Sequence, residues 1–218
     1  RPRLCYLPTA TADDPARIVD FYDRTLRHAC DPFYLELFGI GTPEQPAARV
    51  AAADIVWVGG GNTANMLAVW RLHGIDSALR AAWERGAVLA GGSAGGNCWF
   101  EASVTDAFEP QLTALVDGVG ILGGSFWPHY DTEELRRPVY HQLVADGALP
   151  PGIGCDDFAA VLYDGTELPG SSPCAQEHGR IASRRPLRSR SRRAYSAREA
   201  RRPDLLPARA ARQLSRWT

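Results

Sequence analysis

Lysine is absent from this chain: all 24 basic residues are arginine, a bias that points to GC-rich coding rather than to a function. No apolar run approaches the length needed to span a bilayer, which argues against a membrane helix. No charged-then-apolar secretory signal opens the chain either. A C-x-x-C pair is also missing. The five cysteines (Cys5, Cys30, Cys98, Cys155 and Cys174) are odd in number and widely scattered. They suggest neither a disulfide framework nor a zinc site, so a reducing cytoplasm is the expected location. Internal repeats are lacking too.

What remains is a chain of 218 residues with 45% hydrophobic content, suited to one soluble domain with a sizeable core. Its net charge of −1 hides a split. Residues 1–171 carry 11 Arg against 22 Asp and Glu, whereas residues 172–218 carry 13 Arg against 3. We therefore divide the chain into an α/β domain over 1–171 and an arginine-rich, low-complexity tail over 172–218. Arg184–Arg193 (RRPLRSRSRR) has no apolar period able to bury a helix or strand face. It reads either as a basic arm for a polyanion or as a disordered or frame-shifted tail. No aromatics interleave with its arginines as base-stacking platforms would require. That favours the second reading and disfavours a nucleic-acid partner.

The domain is organised around Ala87–Asn97 (AVLAGGSAGGN). A short buried strand runs into a Gly-Gly-Ser-Ala-Gly-Gly turn, and Asn97–Phe100 is expected to begin the next helix. A serine between glycines at a strand-to-helix corner is how several hydrolase folds expose a nucleophile. The same pattern also fits an ordinary turn whose serine caps a helix. Upstream, Leu4–Leu7 and Asp54–Val58 read as buried strands and Phe33–Phe38 as an alternating one. Helices are expected after Asp13-Asp14-Pro15, over 43–52, over Ala64–Leu72 and over Ile75–Arg85. Alternation of this kind means βαβ units and a mostly parallel sheet. Downstream, Glu101–Glu109 reads as polar and irregular, and Gly118–Ser125 as strand and turn. Thr132–Asp146 reads as a helix and Ala159–Tyr163 as one arm of a hairpin.

Ligands of parallel sheets bind beyond the carboxyl ends of the strands. Two glycine loops leave such ends, Gly59–Asn62 and Gly91–Gly96. The first matches neither G-x-G-x-x-G nor a P-loop. Its backbone N–H groups could instead face Ser93, with one from Gly60 or Gly61 joining that of Ala94 in an oxyanion hole. A serine nucleophile needs a base. Of the five histidines only His129, in Ser125-Phe126-Trp127-Pro128-His129-Tyr130-Asp131, stands at the irregular end of a strand. The imidazole needs an orienting carboxylate. Asp106 is the first candidate, with Glu101, Glu109 and Asp131 as rivals that spacing does not separate.

The ordered set Gly59-Gly60-Gly61-Asn62-Thr63, Gly92-Ser93-Ala94-Gly95, Thr105-Asp106 and Pro128-His129-Tyr130 resembles the S51 peptidases. That group includes peptidase E, an α-aspartyl dipeptidase, with cyanophycinase as a relative. Leu7-Pro8-Thr9-Ala10 is similar to a segment after an early strand in the same family. The resemblance spans about residues 3–170. It implies a three-layer α/β sandwich of flavodoxin-like or class I glutamine amidotransferase-like type, with no cofactor and no metal. It also implies Ser93 as nucleophile, His129 as base, Asp106 as third member (Glu109 or Glu101 as alternatives), and Gly60 and Ala94 at the oxyanion hole. Arg136 and Arg137 stand nearest to the arginines that grip the substrate carboxylate in the dipeptidases, with Asn62 as a further substrate contact. Their spacing differs from the pattern, which leaves the substrate side chain open. Members usually begin with a glycine-rich strand upstream and continue past residue 170 with sheet-closing strands, so both ends are expected to lack elements. Two readings follow. One is a cytoplasmic serine peptidase, monomer or homodimer, acting on short peptides. The other is an inactive or truncated peptidase-like module whose basic tail holds a polyanion.

Overall fold

A computed structural model of the chain describes residues 1–39, 45–108, 111–132, 136–168 and 180–182. Among them, four parallel strands form a first sheet: β1 (Arg3–Leu7), β2 (Asp31–Tyr34), β3 (Ile55–Val58) and β4 (Val88–Gly91), in the order β2-β1-β3-β4. Side chains alternate across a strand, and here the alternation feeds two cores. Leu4, Tyr6 and Ile55 pack against Ile18 and Phe21 of helix α1 (Pro15–Thr25). Cys5, Leu7, Val56 and Val58 face the other way, onto α2 (Pro46–Ala51), α3 (Thr63–His73) and α4 (Ile75–Glu84). Helices thus cover both faces, as the alternating sequence pattern requires. The strand order is that of the flavodoxin-like doubly wound class.

Local chemistry sets the helix starts. Asp14 accepts the Ala16 N–H at 2.9 Å with Pro15 in the first turn, a cap worth about 1 kcal/mol. Asn62 caps α3 by accepting the Asn65 N–H at 2.8 Å, and Gly74 ends the helix in the left-handed region. Trp70, fully buried on α3, donates its indole N–H to the Thr9 hydroxyl at 3.1 Å. This bond ties the loop after β1 to the helix that follows β3.

After β4 the chain departs from the expected pattern. The helix is one short turn, α5 (Ala94–Asn97), and the strand β5 (Phe100–Thr105) follows at once where a polar irregular stretch was expected. A second sheet forms with β6 (Thr113–Leu115), β7 (Leu122–Trp127), β8 (Gly152–Cys155) and β9 (Arg180–Ala182), in the order β6-β5-β7-β8-β9. Only β5–β6 is antiparallel among its pairings. Phe100 and Phe126 stack at 4.9 Å between ring centroids, joining β5 to β7 beneath α5. Helix α6 (Arg136–Ala145) covers β7 through Tyr140, which meets Trp127 edge to face at 5.3 Å. Ala159, Val161 and Tyr163 pack inward against the core, and a tight antiparallel turn follows them: Asp164 and Glu167 exchange backbone hydrogen bonds at 2.9 and 3.0 Å, with residues 169–179 outside the described ones. β9 lies within the stretch read as a tail and pairs with β8; the Arg184–Arg193 run lies outside the described residues. No helix among the described residues is long and apolar enough to cross a membrane.

Candidate active site

Loops at the carboxyl ends of β3, β4, β7 and β8 bring Gly60, Ser93, His129 and Asp157 to one region. At the end of β4, Ser93 adopts φ 55° and ψ −118°. A side-chain-bearing residue held there is strained by about 1–3 kcal/mol, and such residues cluster at functional sites. Its neighbours are shaped to permit the corner. A Cβ at Gly91 would run into the Gly95 carbonyl, and one at Gly95 into the Val58 carbonyl. Any residue but glycine at 95 would therefore push α5 off β3 and turn the serine away. Ser93 also accepts, through its carbonyl, the N–H groups of Gly96 and Asn97 at 2.8 and 3.0 Å. The turn is thereby locked from its helical side.

The imidazole comes from the second sheet. His129, two residues past β7, has φ 56°, and its Nε2 lies 3.0 Å from Ser93 Oγ. Its Nδ1 lies 2.5 Å from Oδ1 of Asp157, which follows β8. The side chains of His129 and Asp157 are 37% and 30% exposed, so a substrate can reach the ring. The next residue explains the ring's direction. Tyr130 N–H donates to the Cys155 carbonyl at 3.1 Å, drawing the loop after β7 onto the end of β8. Asp131 then accepts the Asp157 N–H at 2.9 Å and fixes the backbone of that acid.

The carboxylate on the ring is thus Asp157 in place of the expected Asp106. Asp106 follows β5, on the opposite flank of β7, and the loop after β7 bends away from that side. Glu101 is occupied elsewhere, accepting the Gly124 N–H at 2.9 Å. Glu109 and the side chain of Arg136 lie outside the described residues. Gly60 sits against the serine, since a Cβ there would stand 3.1 Å from Ser93 Cβ. Ala94 opens α5 directly after the serine. Both positions therefore lie beside the serine. Asn62 spends its side chain on structure: Oδ1 caps α3, and Nδ2 donates to the Ala107 carbonyl at 3.2 Å. Arg137 turns toward Tyr130 and Asp156.

Electrostatics at the end of β8 are dominated by carboxylates. Burial pushes the Asp156 carboxyl upward and Asp131 adds to the rise, while Arg137 opposes it and Asp157 adds again. No group of three or more His, Cys, Asp or Glu among the described residues is arranged to hold a metal ion. Thiols offer no rival nucleophile among those residues. Cys5, Cys30, Cys98 and Cys155 are all buried, and burial pushes the Cys5 thiol to about 12 and Cys155 to about 11. Cys98, beside the serine turn, is driven well above its ordinary value by the same cause.

A hydroxyl, an imidazole and a carboxylate hydrogen-bonded in this order can pass a proton from the hydroxyl to the ring. The chain belongs to peptidase family S51, whose family model matches residues 1–169. It is 45% identical over 168 residues to the uncharacterized peptidase YgaJ of Bacillus subtilis (strain 168), covering 77% of this chain and 72% of that one. It is 35% identical over 129 residues to a peptidase E of Streptomyces coelicolor, covering 59% and 51%. Among solved structures, a peptidase from an acI-B1 Actinobacterium is similar with a TM-score of 0.47 and 19% identity, covering 60% of this chain and 56% of that one.

Proposed function

We propose that this chain is a serine peptidase that hydrolyses short peptides, in the manner of a peptidase E, through a Ser93–His129–Asp157 triad and an acyl-enzyme. The observation that carries the reading is the placement of His129 Nε2 at 3.0 Å from Ser93 Oγ with a carboxylate on Nδ1. That carboxylate holds the ring with a proton on Nδ1, leaving Nε2 to accept the serine proton. As Oγ attacks the scissile carbonyl, the proton passes to Nε2, and the new negative charge falls on the former carbonyl oxygen. Backbone N–H groups of Gly60 and Ala94, both beside the serine, would stabilise that oxygen, a contribution of about 3–4 kcal/mol per donor in comparable sites. His129 then returns the proton to the leaving amine. A water activated by the same ring releases the acyl group and restores the serine.

The test is chemical. A fluorophosphonate reagent should modify Ser93, mapped by peptide mass spectrometry, and abolish peptide cleavage. Iodoacetamide at neutral pH should leave a Cys174→Ser variant fully active, because the four described thiols are buried and held protonated. Inactivation by the alkylating agent, with no label on Ser93, would transfer the nucleophile to a cysteine.

A further inference from the structure

We infer that Arg137 is a positioning residue for the His129–Asp157 pair, acting through Tyr130. The inference rests on the triad reading above. Tyr130 is the residue through which the loop after β7 is fixed, and it is held at every polar group. Its N–H donates to the Cys155 carbonyl at 3.1 Å, and its carbonyl accepts Arg137 Nε–H at 3.1 Å. Its hydroxyl lies 3.1 Å from His141 Nε2. The ring is 2% exposed, and a Cβ at Gly154 would collide with its edge.

Arg137 reaches this residue twice. Besides the bond to the carbonyl, its guanidinium lies over the Tyr130 ring, 4.6 Å from the centroid. The far end of the guanidinium faces Asp156, with Nη2 3.9 Å from a carboxylate oxygen whose side chain is only 13% exposed. That oxygen has no hydrogen-bond partner, so the arginine is the charge that answers it. Two surfaces of one planar group are thus engaged, the edge by a carbonyl and the face by a ring, while its end points to a buried acid at ion-pair distance. A guanidinium so engaged braces the segment between His129 and Asp131 against β8, where Asp157 sits. Lysine cannot make all three contacts, because an ammonium has neither a flat face nor a fork.

The experiment compares wild type with Arg137→Gln and Arg137→Lys on two probes. One is a dipeptide that the wild type cleaves; the other is an uncharged fluorophosphonate, which has no carboxylate to grip. Misplacing the ring by a fraction of an ångström should lower kcat about 10- to 100-fold in Arg137→Gln. KM should stay within about twofold, and the rate of Ser93 labelling should fall by the same factor as kcat. Arg137→Lys should fall between wild type and Arg137→Gln, and it carries the comparison should the glutamine variant fail to fold. A raised KM with kcat and labelling unchanged would make Arg137 a substrate ligand and overturn the inference, as would three unchanged parameters. A wild-type protein that takes no label at Ser93 overturns the nucleophile assignment itself, a result distinct from either Arg137 outcome.

Discussion

Replacing Ser93 by alanine is expected to lower kcat by about a millionfold, to the level that binding and the oxyanion donors sustain alone. The fold should survive the change. The hydroxyl donates to nothing that builds the corner; the glycines at 91 and 95 and the Ser93 carbonyl do that. Alanine at φ 55° bears the same backbone strain as serine, so the melting temperature should move by no more than about 2–4 °C. The measurement is steady-state turnover of a short peptide beside a thermal melt. Turnover equal to wild type would remove the serine mechanism outright.

The second large effect separates two acids. Asp157→Asn is expected to cost about 10⁴ in kcat, because an amide on Nδ1 favours the tautomer in which Nε2 carries the proton and cannot take one from Ser93. The geometry should remain, since the Asp157 backbone is held by Asp131. Asp106→Asn, on the other flank of β7, should change kcat by less than about tenfold. Steady-state kinetics on the two variants side by side decide the matter. A ranking in the opposite order would return the orienting role to Asp106.

These two aspartates also mark where sequence reasoning stopped. The strands β1, β3 and β4 were legible because each is a short apolar run bounded by turn residues, and parallel sheets bury both faces of such runs. Ser93 stood out because glycines crowd it, and His129 because it follows an apolar strand and a proline. The partner of His129 had no such mark. Asp106 and Asp157 each come just after a strand that pairs with β7, so both reach the same end of the same sheet. What separates them is the bond from Tyr130 to Cys155, a contact between distant stretches that no spacing encodes. β5 escaped notice because Glu101 and the small polar residues after it mask the alternation. Burial of Ser103 and Thr105 among neighbouring strands supplies what their side chains do not advertise. In Ala159–Tyr163 the alternation is real: its inward face packs, and Asp164 and Glu167 close an antiparallel turn after it.

The groups of the proposed triad are divided between the two sheets: the serine leaves the first, the imidazole and its acid the second. During synthesis a nascent chain that has emerged only as far as the glycine corner carries a nucleophile with no base. Competence arises late, when the strand before Asp157 has left the ribosome and docked beside its neighbour. In the proposed mechanism, hydrolytic power would therefore be withheld from an incomplete molecule by its own connectivity.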